Sequence, residues 1–130
     1  MKRPFSIIAI LVVLSGCTSS PLTGTWQYDG GIYNEKSRAA APDFRMQRTY
    51  SSDSYEAHVL EGNADPKKYA AGNYQIKNDS LYLTGTFSNQ PSQLTGRTQV
   101  YQFTIADDKL TIKGVLPNGM QVEEYWIKLH

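Results

Sequence analysis

From Leu22 to Leu129 the chain consists of short runs in which apolar and polar residues alternate, each closed by a turn signal. No stretch there repeats its apolar residues at the 3.6-residue period of an amphipathic helix. Alternation of that kind sends successive side chains to opposite faces and commits the chain to half-buried β-strands. Eight runs are expected: Gly24 to Tyr28, Phe44 to Ser51, Ser54 to Leu60, Asn73 to Lys77, Ser80 to Phe87, Arg97 to Ala106, Leu110 to Leu116 and Met120 to Leu129. Ser52-Asp53, Asn78-Asp79, Asp107-Asp108 and Pro117-Asn118-Gly119 supply tight reversals between neighbours, the last being the strongest hairpin signal in the chain. A longer connection from Asn34 to Asp43 holds Arg38-Ala39-Ala40-Ala41 and then Pro42, with room for one helical turn.

Eight strands joined by sequential hairpins expose two edges unless the first pairs with the last. The expected fold is therefore all-β, an eight-stranded antiparallel up-and-down β-barrel. A barrel of that size is filled by its own side chains or keeps room for one small ligand. Leu81, Leu83, Gly85 and Phe87 share one face of their run, and Gly85 and Gly114, isolated inside strands, are expected at barrel corners.

The first residues have a different character. Lys2 and Arg3 precede a ten-residue apolar run, Phe5 to Leu14, which is too short to cross roughly 30 Å of hydrocarbon as a helix and has the layout of a cleaved signal peptide. Leu14-Ser15-Gly16-Cys17 resembles the lipobox of bacterial lipoproteins. That resemblance implies residues 1–16 as signal peptide, Cys17 as the lipidated first residue, residues 17–21 as a short tether and residues 22–130 as the barrel domain. Two or three acyl chains, at about 0.8 kcal/mol per buried methylene, hold such a protein on its membrane. Neither an aspartate nor an acidic tract follows Cys17, and by the same resemblance the expected placement is the outer membrane, facing the periplasm.

Removing 16 residues leaves 114 of 130, enough for one domain. Without Lys2 and Arg3 the balance is 11 basic against 12 acidic side chains, which offers no electrostatic footprint for nucleic acid. Cys17 is the only cysteine, so an intramolecular disulfide is excluded and burial must hold the fold. Nine tyrosines, two tryptophans and four phenylalanines suit that task, because an aromatic with a polar tip fits a pleated wall that is dry on one side and hydrogen-bonding on the other.

Gly24-Thr25-Trp26-Gln27, Gly72-Asn73-Tyr74-Gln75-Ile76, Leu110-Thr111-Ile112 and the ending Glu124-Tyr125-Trp126-Ile127-Lys128-Leu129 occur in this order behind the lipobox. Gly-x-Trp is the signature with which lipocalins open their first strand, and the set resembles short lipocalin-like domains of bacterial outer-membrane lipoproteins across nearly all of residues 22–129. The resemblance implies a lipocalin (calycin-like) barrel in which Gly24 and Trp26 close the base and Lys128 packs across the Trp26 ring. Lysine stands where arginine is usual, and it lacks the planar fork that stacks and bonds carbonyls together.

Chemistry is sparse. Glu56 and His58 share a strand face, but the second histidine, His130, ends the chain, and zinc wants three or four ligands. No Gly-x-Ser-x-Gly elbow accompanies the serines. The expectation is a non-enzymatic protein without metal or cofactor. Arg45 and Arg48 have odd spacing and point to opposite faces, so one faces solvent while the other can enter the barrel, where an arginine would favour an anionic ligand such as a fatty acid.

Two functions remain open. In the first, the tethered barrel binds a small apolar or amphipathic molecule, with Arg45, Tyr74, Ile76, Leu83, Phe87, Tyr101, Phe103 and Ile112 as candidate lining residues. In the second, a filled barrel acts as an inhibitor or envelope-maintenance factor, and the connections Asn34 to Asp43, Glu61 to Tyr69 and Ser88 to Gly96 meet a protein partner. An empty volume of a few hundred Å³ favours the first, and a core at ordinary density the second.

Overall fold

The computed structural model describes residues 20–130, which form nine strands and no helix. They are β1 (Gly24–Tyr33), β2 (Lys36–Arg38), β3 (Arg45–Tyr50), β4 (Ser54–Leu60), β5 (Lys67–Lys77), β6 (Ser80–Ser88), β7 (Thr98–Ala106), β8 (Lys109–Val115) and β9 (Gln121–Lys128). Strands β3 to β9 pair antiparallel in sequence order. Strand β1 pairs with both β3 and β9, which closes an eight-stranded barrel and removes its edges. Residues 1–19, on which the expected signal peptide and lipidated Cys17 fall, lie outside the described residues.

The ninth strand, β2, folds back on the far half of β1 from Gly31↔Arg38 to Tyr33↔Lys36, where the sequence left room for a helical turn. Strand β1 likewise runs past the expected stop at Gly30-Gly31, because a bulge between Tyr28 and Gly31 lets pairing with β9 resume at Gly31↔Glu124. Two further bulges, between Ala57 and His58 in the β4–β5 ladder and between Ala71 and Gly72 in the β5–β6 ladder, fall in the same half of the barrel.

The two halves differ in filling. Where β1 begins and β9 ends, Leu22, Trp26, Tyr50, Tyr74, Leu81, Leu110, Ile112 and Trp126 are buried together as a dry core. Trp26 is fully buried and its indole Nε1 donates to the Leu22 carbonyl at 2.8 Å, which folds residue 22 over the base like a plug. The Lys128 ammonium lies 5.7 Å from the centre of the Trp26 ring. Toward the other end the inward side chains become polar: Arg48 on β3, Tyr55 on β4, Gln99 and Tyr101 on β7, and Glu124 on β9.

Candidate functional site: an arginine in a tyrosine cage

Register from the base determines which arginine turns inward. Trp26 pairs with Arg48, and paired residues share a face, so Arg48 enters the barrel while Arg45 stands on the exposed outer wall. The Arg45 assignment as a lining residue is therefore corrected to Arg48.

The Arg48 guanidinium lies 4.7 Å from the ring centre of Trp126, 5.4 Å from that of Tyr55 and 6.0 Å from that of Tyr50. Its Nη1 donates to the Tyr50 hydroxyl at 3.1 Å, and its Nε is sealed from solvent with no acceptor among the described residues. No described carboxylate comes within 4.0 Å to form an ion pair with it. The neighbouring Trp126 Nε1 is also buried without an acceptor among the described residues. Two orphaned donors beside a caged cation are costly in a low-dielectric interior, where buried polar groups are nearly always satisfied. Burial pulls the guanidinium toward neutrality, but Tyr50, Tyr69 and Glu124 more than offset that effect, and the arginine remains charged.

The phenols around it are held neutral. Burial raises the pKa values of Tyr55, Tyr69 and Tyr101, and the positive charge of Arg48 only partly opposes this. They can therefore act as hydrogen-bond donors at physiological pH. Further along the wall Tyr33 donates to Glu124 Oε2 at 2.9 Å, so the 2.5 Å contact between Tyr28 and Tyr33 must have Tyr28 as donor. Burial, the Tyr28 contact and Glu124 all push the Tyr33 pKa up. Glu124 is thus engaged by a phenol and does not form an ion pair with Arg48.

A cavity of about 140 Å³ lies on Arg48, walled by Tyr55, Leu83, Gly85, Gln99 and Tyr101 and covered by Ser92, Leu94 and Thr95 of the β6–β7 loop. At roughly 30 Å³ per water it holds four or five solvent-sized groups, well below the roughly 300–1,000 Å³ of a drug-sized site. Tyr101 also borders a larger groove of about 650 Å³ on the outer wall, lined among others by Ile32, Val100, Lys113, Val115 and Glu123.

Of the other candidate lining residues, Leu83 and Tyr101 reach the Arg48 cavity. Phe87 reaches only its rim: Ala71↔Phe87 pairing beyond the β5–β6 bulge reverses the alternation, leaving the ring 41 % exposed with the Lys68 ammonium 5.0 Å from its centre. Tyr74 and Ile112 are buried in the dry core, and Ile76 and Phe103 pack against it. Tyr74 donates to the Ser51 carbonyl and meets Tyr50 edge-on at 5.3 Å. Glu56 and His58 approach to 3.8 Å on the outer wall, and no cluster of three metal-ligating side chains occurs among the described residues.

Sequence reasoning left Arg48 as the alternative to Arg45 and missed Tyr55, Tyr69 and Glu124. The Ser52-Asp53 hairpin would have selected Arg48, since its pairs Arg48↔Ala57 and Tyr50↔Tyr55 set Arg48 on the apolar face of both strands. The inward turn of Tyr69 has no comparable signal, because it is the residue left over between Ala57↔Ala70 and His58↔Lys68.

No protein-family model and no curated protein matches the chain. Among solved structures, a lipocalin-like protein from Bacteroides uniformis superposes on 83 % of this chain and 98 % of its own, with a TM-score of 0.59 at 16 % identity. A redesigned β-barrel aligns over 84 % of this chain and 92 % of its own (TM-score 0.49, 15 % identity). A variant of the fluorescent protein UnaG does so over 83 % and 96 % (TM-score 0.41, 11 % identity). The chain therefore has a lipocalin-like barrel fold.

Proposed function

We propose that this protein is a membrane-tethered lipocalin-like binding module whose ligand is a small amphipathic molecule carrying one carboxylate, held at Arg48. One observation carries this reading: a guanidinium enclosed by Trp126, Tyr50 and Tyr55 that, among the described residues, has a phenol as its only hydrogen-bond partner and an Nε without an acceptor. A carboxylate supplies what the arginine lacks, and neutral Tyr55 and Tyr101 hydroxyls are available to donate to it. A single cation matches a single negative charge better than it matches a phosphate dianion. The tether rests on the lipobox-like Leu14-Ser15-Gly16-Cys17, with lipid on Cys17 and an outer-membrane, periplasm-facing placement.

Titrating the full chain with octanoate, followed by tryptophan fluorescence, tests the reading. Arg48→Met should weaken binding about tenfold to a hundredfold, the worth of one charge-assisted hydrogen bond or two. The partner-binding alternative draws on the filled closed half of the barrel, and an absence of saturable octanoate binding would favour it.

A further inference from the structure

The Arg48 cavity is too small for the whole of an amphipathic ligand, and the structure assigns a place for the rest. We infer that the apolar tail leaves the barrel sideways, between β7 and β8 past Tyr101, and lies in the outer groove formed by Ile32, Val100 and Val115. This inference rests on the Arg48 reading and extends it with a second subsite.

Three features support it. The β7–β8 ladder runs from Ala106↔Lys109 to Gln102↔Lys113 and stops there, although β7 continues to pair with β6 as far as Thr84↔Thr98 and β8 with β9 as far as Val115↔Gln121. The next step would set Tyr101 opposite Gly114, so the wall parts at these two residues. Tyr101 borders both the 140 Å³ cavity and the 650 Å³ groove, which makes its side chain the partition between them. That ring needs the glycine: a Cβ on Gly114 would lie 2.5 Å from Tyr101 Cδ1. The groove, which Glu35, Gln102 and Gln121 also line, offers a tail an apolar strip. Lys113 and Glu123 neutralise each other at 3.2 Å, while Val100 and Val115 are 50 % and 59 % exposed. Its volume falls within the range of ordinary small-molecule sites, which the inner cavity does not reach.

A decanoic acid carrying a terminal diazirine, photolysed on the full chain and mapped by peptide mass spectrometry, tests the inference. The expected result is saturable labelling of peptides at Ile32, Val100 or Val115, competed by plain decanoate and lost in Arg48→Met. Val115→Ser, on an exposed side chain, should weaken decanoate about tenfold, the loss of roughly two methylene contacts, and leave butyrate within about twofold. Labelling at Met46, Val59 or Tyr69 would place the tail in the barrel mouth and overturn the groove while keeping the Arg48 head site. Equal weakening of decanoate and butyrate by Val115→Ser would also overturn the groove. Absence of saturable labelling would overturn both subsites.

Discussion

Arg48 separates the two uses to which a buried charge can be put. If it served the fold, removing it would unfold the barrel. Because it has no carboxylate partner among the described residues, replacing it with an apolar side chain of similar length relieves desolvation without stranding an opposite charge. Arg48→Met is therefore expected to leave the urea midpoint unchanged or to raise stability by about 1 kcal/mol; a loss of more than about 2 kcal/mol would make the residue structural. The surrounding phenols set the alkaline limit. Tyr33, Tyr55, Tyr69 and Tyr101 have raised pKa values in the barrel, whereas each ionises near pH 10 when unfolded. The folded state thus keeps protons that the unfolded chain releases. Stability should be level up to about pH 9.5 and fall as pH rises beyond about 10, as read from urea midpoints; a rise across that window would contradict the assignment.

At the scale of elements, bulges and close approaches shape the site. Gly72 faces Gly85 across the β5–β6 ladder and provides the space into which the Tyr55 ring turns; a Cβ there would lie 2.1 Å from the Thr84 carbonyl and 2.8 Å from Tyr55 Cε1. Because the first contact is with backbone, Gly72→Ala should cost about 3 kcal/mol or more in denaturant unfolding, and a cost below about 1 kcal/mol would show that the wall yields. The strands themselves were largely legible from alternation and turn dipeptides: Ser54 to Leu60 and Ser80 onward stand where period two put them. The first half of β5, Lys67–Gly72, was not, since its lysines, alanines and glycine have little β-propensity and pairing from both sides imposes the conformation. Inward and outward faces were legible near the hairpins and lost beyond each bulge, where one extra residue reverses the order. Phe87 turned out and Tyr69 turned in for that reason.

Across the whole molecule, closure of β1 on β9 divides the barrel into a plugged base and a polar half that ends at Arg48 and the parting of β7 and β8. In the sequence, the tether proposed at Cys17 stands five residues ahead of Leu22, the residue that plugs the base. Cys17→Ala should leave the barrel folded by circular dichroism but move it from the membrane to the soluble fraction; retention on membranes would refute the lipid anchor. The central claim, that the barrel holds a carboxylate at Arg48, is tested most directly by octanoate titration of the full chain and of Arg48→Met, because Trp126 lies 4.7 Å from the guanidinium and reports on it. The expected result is a saturable fluorescence change in the native chain that weakens at least about tenfold in the variant. Identical curves for the two proteins, or no saturation in either, would contradict it.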